Sequence, residues 1–344
     1  MRRSAVACAR FPYALDMVRA GALRGCAAAC AAAALALGGC AGGGDDGGSR
    51  SGSDQPVGRS QPFPDPKSRT LDELRAGLGP GPLMAKSVSV LQPGRNRFAF
   101  ALFDRTRRQI ADTPAAVYVA PEGGAVVEGP YPARYRSLEV DEPHRSDSVE
   151  HDHDAAHSIY VADIPFKREG NYEVLGVTQL DQRVVGGTPV RVRVERPQMP
   201  PAVGDAVPRV NTPTRDEVGD LAEIDTREPP SSMHEDDLAD VLGRRPVMLL
   251  FATPRLCRSR ICGPVVDVLE QVKADHPDDA AFIHMEVYNG NDRDGGERPQ
   301  VRAFGLPSEP WLFAIDAQGR VAARIEGAFS AEEAEAALRE ATGE

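Results

Sequence analysis

The chain is 344 residues long, with 40 Lys+Arg against 51 Asp+Glu, a formal charge of −11 and an apolar content of 41%. That length fits two domains with linkers. The acidic balance leaves no basic surplus to release counterions, which excludes a nucleic-acid binder. No period of roughly 20–50 residues recurs, so solenoids are excluded, and only one long apolar stretch is present, too few for a multi-span membrane protein.

Residues 1–39 carry Arg2, Arg3, Arg10, Arg19 and Arg24 ahead of an Ala-rich apolar run from Gly25 to Leu37. This is the order of an export signal, and the run is too short for a stable membrane span. It ends in Leu37-Gly38-Gly39-Cys40, which resembles the lipobox of bacterial lipoproteins. The resemblance implies cleavage before Cys40, acylation of Cys40, and a chain held on the extracytoplasmic face of the cell membrane by an N-terminal lipid. An ordinary secretory signal is the alternative. Met17 to Cys40 also reads as a complete signal, so the start at Met1 or Met17 stays open. Cleavage would remove Cys8, Cys26 and Cys30 and leave Cys257 and Cys262 as the thiols of the mature chain. One closely spaced pair in an exported protein points to a redox or metal motif rather than a disulfide framework.

Residues 40–83 are rich in Gly, Ser, Asp and Pro and read as a flexible tether. Within them Thr70 and Glu73 stand at capping-box spacing for a short helix. Residues 84–196 read as β. The segments 87–91, 97–102, 116–119, 158–162, 172–175 and 190–194 alternate or run apolar, with Gly and Pro between them. The pattern predicts an all-β, Ig-like antiparallel sandwich, its last strand alternating Arg and Val with one face to solvent.

An acidic insertion interrupts this domain between Ser137 and His157. His144, His151, His153 and His157 fall within it, four of the seven histidines of the chain. Imidazoles among carboxylates suit zinc or copper, which makes His151, His153 and His157 the candidate ligands. The spacing matches no defined finger, and a solvated loop is the plainer reading.

After the proline-rich stretch 197–201 the pattern changes to α/β, and residues 197–344 form the second predicted domain. The apolar run 245–252 predicts a buried strand. Cys257-Arg-Ser-Arg-Ile-Cys262-Gly263-Pro264 follows, then a helical stripe of Val265, Val268, Leu269 and Val272. Pro264 suits a first helical turn, so Cys262 falls at a helix N-terminus. Free N–H groups and the helix dipole there predict a stabilised Cys262 thiolate, which Arg258 and Arg260 would assist if turned inward.

Strand, loop, Cys-Gly-Pro and helix resemble the active-site segment of thioredoxin-like proteins. Later segments agree: 282–287 and 311–315 as strands, 319–327 as the last hairpin strand, and Ser330 capping a final helix. Residues 203–208 resemble an opening strand of extracytoplasmic members. The resemblance implies that Pro310 is the cis-proline facing the cysteine, with Gly263 on the substrate side; Trp311, which follows Pro310, is either a substrate platform or a core residue. One departure stands out: Val265 occupies the place of the usual second cysteine, and the second thiol lies upstream as a C-x4-C pair.

Three readings of that pair stay open. In the first, Cys262 as nucleophile and Cys257 as resolving thiol cycle between dithiol and disulfide with protein partners. In the second, the pair binds Cu(I), as in thioredoxin-like copper chaperones; these use a distal histidine, and His284 lies on a central strand, in the wrong place by pattern. In the third, a Cys257–Cys262 disulfide is a structural staple in a binding module. Exchange needs no resident cofactor; copper or zinc is what the metal readings would add. His234 reads as a surface residue at a helix start, and the loop 289–296 as solvated.

Overall fold

The structure, a computed structural model, describes residues 63–344. The signal segment, Cys40 and most of the tether lie outside the described residues. The described part opens with α1 (Leu71–Ala76), where Thr70 Oγ1 accepts from the Glu73 N–H and the Glu73 carboxylate accepts from the Thr70 N–H, the reciprocal cap read from the sequence.

The β region comprises β1 (Gly79–Pro80), β2 (Leu83–Lys86), β3 (Gly94–Phe103), β4 (Gln109–Ile110), β5 (Ala115–Pro121), β6 (Glu128–Ser137), α2 (Asp147–Glu150), β7 (Ser158–Phe166), β8 (Gly170–Leu180), β9 (Arg183–Gly186) and β10 (Val190–Val194). Its strands form one sheet in the order β1-β9-β8-β5-β6-β7-β3-β2, with β10 also on β8 and β4 on β3. Every pairing is antiparallel except β1 with β9. The region is therefore mostly β, as expected, but its two halves are not separate sheets. β6, which the sequence reading missed, joins them: Glu128–Ala133 pairs with β5 and Ala133–Ser137 pairs with β7. The sheet curls around Phe98, Phe100, Val117, Ile164 and Val174. On the outer face of β5 and β8, Tyr118 and Leu175 pack under Leu71 and Leu74 of α1. In β10, Val192 and Val194 are buried and Arg191 and Arg193 exposed.

The α/β region comprises α3 (Leu238–Val241), β11 (Val247–Phe251), α4 (Cys262–Asp275), β12 (Ala281–Met285), α5 (Pro299–Phe304), β13 (Trp311–Ile315), β14 (Val321–Glu326) and α6 (Ala331–Thr342). The sheet order is β12-β11-β13-β14, with β11 and β12 parallel and the other pairs antiparallel. α4 connects the parallel pair and α6 follows the last hairpin, the topology that the resemblance implies. Residues 203–208 form no strand and contribute only a bridge from Ala206 to Arg320. Alternation along β11 divides two cores: Met248 and Leu250 face α4 and α6, while Leu249 and Phe251 face Phe304 and Phe313.

The two sheets share one apolar cluster, which runs from Phe98 and Ile159 through Leu338 to Leu250 and Leu269. Polar clamps frame it. Arg97 Nε donates to Glu333 Oε1 at 2.7 Å and its Nη2 to Glu333 Oε2 at 2.9 Å, and Nη2 also reaches Ala328 O at 2.7 Å. Residues 87–91, expected as a strand, form an extended connector. Its Ser89 and Val90 N–H groups donate to the Glu326 carboxylate at 2.7 and 2.8 Å. The proline-rich stretch is pinned as well, since Arg324 Nη1 donates to Pro200 O and Pro201 O at 2.8 and 2.7 Å. Among the described residues, no helix is long and apolar enough to cross a membrane.

The Arg97–Glu333 pair is mostly shielded from solvent, so its loss costs more than that of a surface pair. Arg97→Ala should lower the unfolding free energy in urea by about 2 kcal/mol, in the range for hydrogen bonds to charged groups. Arg95→Ala removes an exposed partner of Asp163 and should change it by less than about 0.5 kcal/mol.

Candidate functional site

The thiols lie where β11 ends and α4 begins. Thr253 O accepts from the Leu256 and Cys257 N–H groups at 3.2 and 3.0 Å, which turns the chain back over the helix start. The helix opens at Ile261 with no side-chain cap, leaving its first N–H groups to find another acceptor. The Ile261 and Cys262 N–H groups and the Cys262 thiol are the groups that favour charge on the Cys257 sulfur. Both cysteines are free thiols, so the expected Cys257–Cys262 disulfide is not formed here.

This geometry reverses the expected polarity of the pair. Helix N–H groups point out of the helix, toward the loop residue before it, and not at the cysteine inside its first turn. Cys257 is lowered to about 6, first by the Cys262 hydrogen bond and further by the Ser259 hydroxyl, whose Oγ lies 3.2 Å away, and the two backbone donors, against burial. Cys262 is pushed well above the ordinary thiol value by complete burial, then by its bond to Cys257 and the charge there. Arg258 and Arg260 do not assist, because both are exposed and Arg260 pairs outward with Asp152 at 3.1 Å.

Glu309–Pro310 is a cis peptide, as the resemblance implies. Glu309 itself was missed by the sequence reading. Burial and the Cys257 charge raise its carboxyl, with Arg293 opposing them. Arg293 belongs to the 289–296 loop, expected to be merely solvated. Its guanidinium donates to Leu256 O and lies 5.4 Å from the centre of the Tyr288 ring. Only the adjacency of Glu309 to Pro310 hinted at this rim in the sequence.

Two residues expected on the substrate side are buried. Trp311 is 1% exposed, stacks on Phe313 at 5.7 Å and donates from Nε1 to Ser308 Oγ at 3.0 Å. It is a core residue because its strand lies inside the sheet. Gly263 is also covered, since a Cβ there would come within 2.8 Å of Val149 Cγ2.

Val149 belongs to the His-bearing insertion, which forms an arm lying across the start of α4. Ser146 N–H and Oγ donate to Asp267 Oδ2 at 2.9 and 3.0 Å, Ala156 N–H donates to Arg260 O at 3.1 Å, and Asp141 N–H donates to Gln271 at 2.8 Å. Arg227, from the other side, donates to Asp267 Oδ1 at 2.8 Å. A cavity of about 280 Å³ remains between arm and helix, lined by Val140, Val149, His153, His157 and Pro264. Under this cover Cys257 is 3% and Cys262 0% exposed.

The arm does not gather its histidines into a metal site. His151, His153 and His157 are all exposed, and His151 Nδ1 is spent on Asp147 O at 2.8 Å. Among the described residues, the one grouping with metal-ligand geometry is Asp225, His234 and His284. His234, expected at the surface, is 3% exposed, because Met233 O accepts the His284 N–H at 2.8 Å and draws that segment against β12. Asp225 Oδ2 lies 2.9 Å from His234 Nε2 and 3.3 Å from His284 Nδ1. Burial would raise Asp225, but the charge of His284 and the hydrogen bonds from both imidazoles hold it well below the usual carboxylate range. Burial alone would lower His284; Asp225 outweighs it and leaves His284 raised. At His234, burial outweighs Asp225 and the imidazole is lowered. No cysteine belongs to this group, and His284 is tied to Asp225 and Ala252 O rather than facing the thiols as the copper reading requires.

No protein-family model matches the chain, and no curated protein matches it. Among solved structures, it is similar to a thiol:disulfide interchange protein of the thioredoxin family from Chlorobium tepidum TLS, at 19% identity over 41% of this chain and 99% of the other, with a TM-score of 0.27. It is also similar to the Lin-41 filamin domain, at 11% identity over 34% of this chain and 99% of the other, with a TM-score of 0.19. Strand order and helix placement, rather than these neighbours, define the two regions.

In the reduced protein the thiolate ultraviolet absorbance should titrate with a midpoint of about 6, and Cys262→Ala should move it up toward the ordinary 9.0. A wild-type midpoint at the ordinary value would contradict the assignment of Cys257 as the thiolate.

Proposed function

We propose that the chain is an extracytoplasmic thiol–disulfide oxidoreductase, anchored through a lipid on Cys40, that acts on protein thiols or disulfides. The observation that carries this reading is the pair of free thiols at the mouth of α4, Cys257 favoured as thiolate and Cys262 held as the buried thiol. In this reading the roles are the reverse of the sequence expectation: Cys257 attacks and Cys262 resolves.

As a reductant, the Cys257 thiolate attacks one sulfur of a partner disulfide, and the other partner sulfur leaves as a thiolate. The mixed disulfide removes the negative charge from Cys257. That charge is among the causes holding the Cys262 proton in place and raising Glu309. With it gone, Cys262 gives up its proton more readily and Glu309 is the nearby carboxylate to take it. The Cys262 thiolate then attacks Cys257 Sγ, the second partner sulfur departs, and a Cys257–Cys262 disulfide remains. Oxidation of a partner dithiol is the same sequence backwards. Pro310, next in the chain to Glu309, is the candidate residue for seating the partner backbone. No cofactor enters any of these steps, and no nucleic acid is expected as a partner.

The burial of both sulfurs favours a second reading, a binding module whose thiols are inert. Exchange requires the arm to swing off α4, and trapping separates the two. With a disulfide-bonded substrate protein, Cys262→Ser should accumulate a mixed disulfide through Cys257, and Cys257→Ser should accumulate none. The opposite pattern would restore Cys262 as nucleophile, and trapping by neither variant would support the inert module.

The arm gives a separate expectation. Val149→Ser removes part of the apolar contact over Gly263, on the order of 1.5 kcal/mol. It should speed alkylation of Cys257 about tenfold. An unchanged rate would mean that the arm does not gate the thiols.

A further inference from the structure

Asp225, His234 and His284 form a second group with chemistry of its own, in the loop before α3 and on the α4-facing side of β12. We propose that these three residues bind a divalent first-row transition ion of the Zn²⁺ type, separate from the thiol pair.

The geometry is that of a ligand set. Two donor atoms each about 2.1 Å from an ion at a tetrahedral angle lie about 3.4 Å apart. The Asp225 oxygen lies 2.9 Å from His234 Nε2 and 3.3 Å from His284 Nδ1, and the ligand atoms of all three residues fall within 4.8 Å of one another. Two imidazoles and a carboxylate, with no thiolate, suit Zn²⁺ better than Cu(I).

The surroundings orient the set. His284 Nε2 lies 3.2 Å from Ala252 O, an acceptor that can hold an Nε2–H when Nδ1 turns to an ion. This is the usual outer support of a ligating histidine. Asp225 is held in turn by the Arg227 N–H on Oδ1 at 2.8 Å and the Ser231 N–H on Oδ2 at 2.7 Å. The Ser231 hydroxyl lies 3.2 Å from His284 Nδ1 and completes the polar shell of the group. His234 is tied at Nε2 alone, its buried Nδ1 having no partner, so its ring is free to adjust to an ion. Glu286, the residue after β12, adds buried negative charge acting on both imidazoles, and its Oε2 has no partner. The nearest guanidinium, Arg227, is committed to Asp267, Pro229 O and His144 O.

The group is not sealed. His234 and Ser231 line a cavity of about 360 Å³ whose rim carries His144, Glu235 and Glu270. That rim gives a divalent ion a route inward past carboxylates and an imidazole.

The test uses the full-length chain in detergent, stripped with a chelator and titrated with Co²⁺ and Zn²⁺. One Co²⁺ per chain should bind, with ligand-field absorption of a nitrogen and oxygen set and no thiolate charge-transfer band. Cys257→Ser combined with Cys262→Ser should leave binding unchanged, and His234→Ala should weaken it by at least about 100-fold. X-ray absorption of the Zn²⁺-loaded wild type should read imidazole and carboxylate ligands without sulfur, which needs no variant to fold. Three outcomes would overturn the site: no binding, a sulfur-bound ion lost with the cysteines, or an ion unaffected by His234→Ala and lost when His151, His153 and His157 become Ala. The site shares no residue with the thiol pair, so its failure leaves the exchange reading standing.

Discussion

At the start of α4 one sulfur is given charge and the other is denied it. A helix of this kind ends in N–H groups that its own backbone cannot satisfy. Ile261 supplies no side-chain cap, and the turn at Thr253 carries the chain through Cys257 back to the helix start. The N–H groups there and the Cys262 thiol favour charge on Cys257, while burial denies it to Cys262. Glu309 and Tyr288 are both raised partly by the charge of the cysteines.

The β region bears on the same spot. It is fastened to the α/β region through the Arg97–Glu333 fork, the Glu326 carboxylate and a shared apolar cluster. From that mounting the arm reaches the N-terminal turn of α4 and covers Gly263 with Val149. The same arm contributes to both cavities, one over the thiols and one beside His234. A movement of the arm thus changes access to two chemically different groups at once.

Much of this was legible in the sequence. The cap at Thr70, the strand at 247–251, the helix start at Cys262, the cis bond before Pro310 and the capped last helix all carry local signals, because each rests on neighbours in the chain. The misses depend on distant partners. β6 holds Pro130, Pro132, Arg134 and Arg136, which interrupt any apolar pattern, and it is a strand because β5 takes one half and β7 the other. Residues 87–90 alternate like a strand, yet the Ser89 and Val90 N–H groups go to Glu326, more than two hundred residues away. His234 sits among acidic neighbours and reads as surface until β12 draws it in. The polarity of the cysteines depends on where a five-residue turn places a sulfur, which spacing alone does not fix.

The most direct measurement is a redox titration of the purified protein, with thiols trapped by a mass tag at each potential and the tagged cysteines mapped. The account predicts a reversible two-electron transition joining Cys257 to Cys262, at a potential above about −300 mV as for working exchange couples. A pair that cannot be oxidised or reduced until the protein unfolds would contradict it and return the thiols to a structural role.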